Sequence, residues 1–529
     1  MPENFWNHLH FHPTDAVEDR WGQTILRRIA ADHAARRIRL YVMLEEIVGR
    51  GENGTLTFDF YRLNERLDFM VQNKFQLLLC FNFMPQCMAE DPDALSWKRY
   101  KGKRFNSSRP TSWQEWGTVC GKVTMHLVER YGVSEIEKWL FQCWNEPDQV
   151  YWLGGKSYCE RYGSAIGEER MKAYCILYDF FEYAVHSVDP KIRCGGPSVA
   201  LNDAFFRGFL IHCKSGTHSV TGATGSRLDF ISVHAYSEFA YEGQINTDYI
   251  SPDNILNRLR HLRTIADETI SGTIPFLMDE WGGATMGMVT ITENEKMRFR
   301  ETEYFAAFYI RLIDLLVHSP DLRVEEMLLC LSGQDYSRRD FDGCRTLFTV
   351  SGFPKPIYQA FCLATLLEKL RMAVTSMEVD GNPCCGIIPT TSGENRMVLI
   401  LYRCESLFRD ADADHECLLE LRGVSGTWRR RAFRIDASNA NSYRCWTALG
   451  SPEYPSMEER EQIAAAGELK SFVPDCLNSK EQDHLLLSVK LPSHTVVLLE
   501  LMRETSEEKF PLHDSLSCKR NKKGKYSDG

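Results

Sequence analysis

Across the first two thirds of the chain, short uninterrupted apolar runs alternate with longer stretches whose apolar positions recur every three or four residues. The short runs are Ile38–Leu44, Phe75–Phe81, Lys138–Cys143, Ile192–Gly196, Leu228–His234, Pro275–Met278 and Glu326–Leu331. The periodic stretches are Phe60–Val71, Trp113–Arg130, Glu168–Val188, Asp253–Ser271 and Asn294–Leu316. A run apolar at every position fits a strand buried on both faces, and the 3.6-residue period fits an amphipathic helix covering it. Strand and helix in repeated alternation predict a parallel sheet, and so many units predict a closed eight-stranded barrel, an α/β fold of the (β/α)8 type.

After a predicted helix over Ala360–Leu370, the pattern changes. Met397–Arg403, Glu416–Arg422, Trp428–Ile435, Leu485–Leu491 and Thr495–Leu501 read as strands separated by turn-rich loops, which predicts a smaller antiparallel β-sandwich. The expected organisation is therefore a barrel over 1–370, an accessory sandwich over 371–503, and a charged, disordered tail over 504–529, where Lys519, Arg520, Lys522, Lys523 and Lys525 cluster. A length of 529 residues accommodates both domains.

Composition narrows the function. A net charge of −10 and a pI near 5.9 supply no basic field for a phosphate backbone, so nucleic acid is not an expected partner. No stretch approaches the roughly 18 apolar residues of a membrane span, and the first fifteen residues, with Glu3, His8, His10, His12 and Asp15, make no signal sequence. The expected location is cytoplasmic, with no membrane partner. Eighteen cysteines are scattered without a Cys-x-x-Cys pair, which predicts reduced thiols and no structural zinc. His8, His10 and His12 share same-face spacing but have no acidic or cysteine partner nearby, so neither a metal nor a cofactor is expected. Homo-oligomerisation stays open.

Candidate chemistry sits where two of the apolar runs end. Trp144-Asn145-Glu146-Pro147-Asp148 follows one predicted strand, and Asp279-Glu280-Trp281-Gly282-Gly283 follows another. In a parallel barrel, catalytic groups lie at the carboxyl ends of strands. Two carboxylates there can cleave a glycosidic bond, one protonating the departing oxygen and one attacking the anomeric carbon, with the closeness of two like charges and a drier wall around one of them pushing their pKa values apart. Glu146 and Glu280 are the candidates. Asp279 is the alternative to Glu280, disfavoured because neighbouring residues of a strand face opposite ways. His234 and Tyr236, closing the sixth predicted run on one face, are expected to bind a sugar hydroxyl and to hold the second carboxylate; a buried, internally satisfied His234 is the competing reading. Asn145 is expected on the sugar 2-hydroxyl. Trp144 and Trp281 serve either as a sugar platform or as core.

Trp-Asn-Glu-Pro on a fourth strand with a glutamate on a seventh resembles the clan of retaining barrel glycosidases. The wider resemblance is to glycoside hydrolase family 39, which holds β-xylosidases and α-L-iduronidases, and it covers nearly the whole chain. It is carried by Phe83-Met84-Pro85, Trp97, Tyr100-Lys101-Gly102, Trp113, Tyr131-Gly132-Val133, Lys138-Trp139, Gly195-Gly196-Pro197, Asp229 through His234, and Gly352 through Pro356. The resemblance implies Glu146 as acid/base, Glu280 as nucleophile, and Asp335 and Arg345 on the substrate. Leu44-Glu45-Glu46, His212-Cys213 through Thr221-Gly222, Ser451-Pro452 and Leu491-Pro492-Ser493 resemble the iduronidase branch. Against that branch, Tyr236 stands where a lysine holds the uronate, and Tyr41 stands where the family has a histidine. The xylosidase-like loop at Phe83 tips the expected substrate to a neutral pentoside cleaved from the chain end. An endo-acting enzyme and a glycan-binding protein without activity are the alternatives.

Overall fold

The computed structural model describes residues 4–11, 20–95, 104–238, 250–270, 272–285, 287, 289–331, 339–374, 384–405, 408, 415–479 and 484–504. Eight parallel strands close on themselves: β1 (His8–Phe11), β2 (Arg37–Tyr41), β3 (Gln76–Phe81), β4 (Leu140–Cys143), β5 (Arg193–Val199), β6 (Phe230–Glu238), β7 (Phe276–Ala284) and β8 (Val324–Leu331). Each pairs with its neighbour in chain order, and β1 completes the ring against β8 through His8↔Leu328 to Phe11↔Leu331. Helices follow in turn: α1 (Arg20–Ala31), α2 (Tyr61–Gln72), α3 (Trp113–Tyr131), α4 (Ile166–Val188), α5 (Asp203–Ser215), α6 (Pro252–Thr269), α7 (Glu303–Val317) and α8 (Pro356–Ala364).

Local sequence explains where the helices begin. Ser112 accepts a hydrogen bond from the Glu115 amide at the start of α3, Asn202 from Phe205 at α5, and Ser251 from Asp253 at α6, where Pro252 adds a φ already suited to the first turn. The same logic corrects the expected helix over Ala360–Leu370. Pro356 occupies the first turn of α8 rather than preceding the helix, and the helix ends at Ala364.

Strand β1 is absent from the sequence expectation. Its four residues alternate two histidines with Leu9 and Phe11, too short and too polar a pattern to read as a buried strand. Inside the ring, Leu78, Leu140, Phe230, Leu277 and Leu328 make an apolar floor. One step toward the carboxyl ends, the inward positions turn polar, and there the functional groups gather.

Beyond α8, a six-stranded antiparallel sheet runs in the order β9 (Leu370–Arg371), β10 (Cys385–Gly393), β11 (Arg396–Arg403), β16 (Thr495–Arg503), β13 (Gly426–Ile435), β14 (Phe472–Ser479), and a two-stranded sheet pairs β12 (His415–Arg422) with β15 (His484–Leu491). The central strands of the large sheet, β11 and β16, are buried on both faces. Val398, Ile400, Val496 and Leu498 join the barrel core, whereas Leu399, Leu401, Val497 and Leu499 pack with Leu487 and Val489 of the small sheet. Several elements here escape the sequence reading, β9 and β14 among them. Strand β10 carries Pro389, and the helix pair α9 (Ser442–Ala448) and α10 (Met457–Ala466) interrupts the run of strands, seating Tyr443 and Ile463 on Phe341 and Phe353 of the loop after β8. No described helix is long and apolar enough to cross a membrane. The predicted tail 504–529 lies outside the described residues apart from Glu504.

Candidate active site

Glu146 leaves β4 through a bent backbone. Trp144 and Glu146 both take left-handed φ values, 64° and 42°. Conformations of this kind cost on the order of 1–3 kcal/mol each and persist only where their surroundings fix them. Here the Glu146 amide donates to the Ser198 carbonyl at 3.2 Å. Asp148, buried two residues on, accepts from the amides of Ala200, Leu201 and Asn202 at 3.0, 2.9 and 3.0 Å. The acidic end of Trp-Asn-Glu-Pro-Asp thus ties the turn after β4 to the turn after β5 and aims Glu146 at the barrel mouth.

Glu280 is placed by a β-bulge. Val233 faces Met278 but His234 faces Glu280, so Asp279 is an extra residue in β7; against β8 the same stretch advances from Met327↔Met278 to Leu329↔Trp281. Strand β7 does not end before Glu280, as the sequence suggests, but runs on to Ala284. The bulge breaks the alternation on which the sequence reading of Asp279 relied, and both acidic side chains turn into the barrel. Asp279 lies deeper and wholly buried, its Oδ2 accepting from Gln142 Nε2 at 2.7 Å and from Ser198 Oγ at 2.6 Å. Glu280 lies above it and accepts from Arg39 Nη1 and from the Tyr236 hydroxyl, both at 2.8 Å.

One histidine joins the two glutamates. His234 Nδ1 donates to Glu146 Oε1 at 3.0 Å and lies 3.7 Å from Glu280 Oε2, while Nε2 donates to Ser198 Oγ at 2.9 Å. One carboxylate oxygen of Glu146, one of Glu280 and a ring nitrogen of His234 all lie within 4.8 Å of one another. Burial opposes charging His234, but Glu280, Asp279 and Glu146 outweigh it and push its pKa up to about 10. Burial likewise acts against the Glu280 carboxylate, and the cations His234, Arg39 and Arg345 overcome it, holding its pKa well below the usual carboxylate range. Cations around Glu280 keep it charged, where the sequence reading invoked the repulsion of two like charges with one carboxyl in a drier wall.

Arg39 is the hub that the sequence reading missed. Its guanidinium reaches Gln142 Oε1 at 2.9 Å, Asn145 Oδ1 at 2.8 Å, Ser198 Oγ at 3.1 Å and Asp279 Oδ2 at 3.2 Å, besides Glu280. Asn145 turns its side-chain oxygen to Arg39. His10 Nε2 stands 3.5 Å from Glu280 Oε1 and its ring 5.3 Å from that of Tyr41. Arg37-Ile38-Arg39-Leu40-Tyr41 and His8-Leu9-His10 held the signal, since charged or polar residues alternating through a buried strand must line a polar interior.

Two donor sets have the compactness of a metal site: Glu146 with His234 and Glu280, and His10 with Glu280 and Cys330. In the first, an imidazolium has no lone pair to give. In the second, Arg39 already occupies the shared carboxylate oxygen. The first is a hydrogen-bonded set.

The remaining expected site residues divide. Arg345 arrives from the loop after β8 and donates to the Tyr236 hydroxyl at 2.6 Å. Asp335 lies outside the described residues. Trp281 does not reach the pocket: following the bulge, it points out of the barrel, 0 % exposed, its ring stacked 5.7 Å from Tyr309 and 6.4 Å from Phe308 of α7. Trp144 is equally buried, donating to the Tyr151 carbonyl at 3.0 Å and packed edge-on against Trp116 and Trp152.

Residues 3–481 match the sequence profile of the glycosyl hydrolases family 39. The chain belongs to this family. It is a retaining glycoside hydrolase, and the enzyme is 25% identical over 476 residues to a β-xylosidase of Caldicellulosiruptor saccharolyticus, with 87% of each chain covered. It is 27% identical over 493 residues to human α-L-iduronidase, covering 87% of this chain and 69% of that one. The crystal structure of a monomeric β-xylosidase from Caulobacter crescentus superposes with a TM-score of 0.76 at 19% identity, over 95% of the enzyme and 97% of that chain, and shares its fold.

Proposed function

We propose that the enzyme removes terminal pentosyl residues as a β-xylosidase, with Glu280 as nucleophile and Glu146 as acid/base. The observation that carries the assignment is the approach of the two carboxylates to within 4.8 Å around His234. Retaining enzymes hold their pair about 5–5.5 Å apart, whereas inverting enzymes leave room for a water at about 6.5–9.5 Å. Glu280, charged and steadied by Arg39 and Tyr236, attacks the anomeric carbon as the glycosidic oxygen takes a proton from Glu146 and departs. A covalent glycosyl ester results. Glu146 then takes a proton from water, whose oxygen displaces Glu280 with a second inversion at the same carbon.

The neutral-sugar assignment rests on Tyr236, which stands two residues after His234 and spends its hydroxyl on Glu280. A second reading, α-L-iduronidase activity, draws on Arg345, a half-buried cation beside that tyrosine and suited to a carboxylate. The free thiols among the described cysteines suit a reducing compartment, and we place the enzyme in the cytoplasm on that ground. Aryl β-xyloside, α-L-arabinoside and α-iduronide, assayed side by side, separate the readings. The xyloside is expected to turn over fastest, with β-xylose as first product by NMR. Preference for the iduronide would transfer the assignment to the second reading, and silence on all three with retained glycan binding would reject both.

A further inference from the structure

Asn82 stands one residue beyond β3, is 0 % exposed, and has no hydrogen-bond partner at either side-chain atom, Oδ1 or Nδ2. A buried amide with both ends unpaired carries the full desolvation penalty of a donor and an acceptor, and native interiors rarely keep such a group unless something else completes it. Its main chain, in contrast, is pinned. The Asn82 carbonyl accepts from the Leu44 amide at 3.0 Å, and the preceding Phe81 carbonyl accepts from the Trp144 amide at 3.1 Å.

Strand alternation says where the amide points. Leu78 belongs to the barrel floor, and Cys80, two residues on, lies 3.9 Å from Arg39 Nη2 in the polar layer above. Asn82 continues that inward row, about 6–7 Å nearer the mouth. The inward row leads from Cys80 toward the space above Arg39, the residue that holds both Glu280 and Asn145. Next in sequence, Phe83 walls this place with rings, 5.7 Å from Tyr41 and 5.8 Å from Trp144. The inward aim, the burial and the unpaired amide mark the same spot, beside the catalytic pair.

We propose that the Asn82 carboxamide binds two neighbouring hydroxyls of the sugar whose glycosidic bond is cleaved, one accepting from Nδ2 and one donating to Oδ1, and thereby selects among neutral sugars. This rests on the glycosidase reading above and adds a recognition residue to it. An amide offers a donor and an acceptor side by side, which suits a vicinal diol and gives a carboxylate only one bond.

Asn82→Leu, nearly isosteric and without polar atoms, tests the assignment against a structural role. The variant is expected to melt, without sugar, at or above the wild-type Tm, to lose about 10- to 100-fold in kcat/KM on the best aryl glycoside, and to show a smaller Tm rise with the matching monosaccharide. Deoxy substrates lacking one ring hydroxyl sharpen the test, because the variant should penalise the critical deletion less than the wild type does. Unchanged kcat/KM and an unchanged monosaccharide response would overturn the proposal. So would a lowered Tm in both Asn82→Leu and Asn82→Ala, which would reveal a structural partner; should the leucine variant not fold, the alanine variant carries the same comparison. A wild type inactive on every glycoside would instead reject the glycosidase assignment, so the two failures are distinguishable.

Discussion

Single side chains in this site are defined by the charges they share. His234 provides the clearest example, because its proton is held by carboxylates on either side. A histidine whose folded pKa is raised to about 10 contributes stability that is complete below its unfolded value near 6.5 and is lost as pH rises toward 10. The wild type should therefore lose stability between about pH 7 and pH 10, and His234→Gln should flatten that slope while lowering stability at pH 6. Denaturant titrations at pH 6, 8 and 10 measure both; a slope identical in the two proteins would show that the imidazolium is not held as described. Glu146 stood out in the sequence because Asn-Glu-Pro after an apolar run is a rare arrangement, whereas Glu280, in the weaker Asp-Glu-Trp, was singled out by its place at a strand end and by the family resemblance. For Arg39 and His10 the local alternation signalled only a polar barrel interior, and their partners, Glu280 foremost, lie more than a hundred positions away, which no local pattern encodes.

At the scale of the element, the bulge in β7 decides which groups face substrate. One extra residue brings Asp279 and Glu280 to the same side and sends Trp281 outward onto α7. Sequence periodicity assumes an unbroken alternation and so turned Asp279 away; of the two readings open for Trp281, which flanks Glu280 in sequence, its position fits core packing rather than the sugar platform. The structural position predicts the cost of removing the tryptophan. Trp281→Ala should lose about 3–5 kcal/mol of stability, as for large-to-small changes in a packed core, while the folded variant keeps a KM within about two- to threefold of wild type. Wild-type stability with a strongly raised KM would return Trp281 to the sugar. The strands and helices with long, regular apolar patterns were otherwise readable to within a few residues, and those missed were short or mixed, like the four residues of β1 and the helix pair α9–α10.

For the whole molecule, the boundary between barrel and sandwich is a continuous interior. Tyr402 donates to Asp314 of α7 at 2.8 Å, Arg311 of α7 donates to the Cys404 carbonyl at 3.0 Å, and Val398, Ile400, Val496 and Leu498 complete the barrel core. The helix pair adds Arg444, which pairs with Glu303 at the start of α7, and rings packed on the loop that delivers Arg345. A chain ending at residue 370 should therefore expose the apolar side of α7 and fail to accumulate as soluble, active enzyme, and the full chain should unfold in a single calorimetric transition. A stable, active barrel fragment would show the sandwich to be dispensable. The sequence pattern divided the chain near this point by element type, but it carried no information on how deeply the two parts share a core.

All three scales converge on Glu280, the charged carboxylate that the bulge aims and the cations steady. Its role is tested most directly by trapping: incubation with an activated 2-deoxy-2-fluoro-xyloside, followed by intact-mass and peptide mass spectrometry. The electron-withdrawing fluorine slows both steps, and the activated leaving group lets the ester accumulate. The account predicts one fluoroxylosyl group per chain, carried as an ester on Glu280. An ester on Asp279 or on any other residue would contradict it.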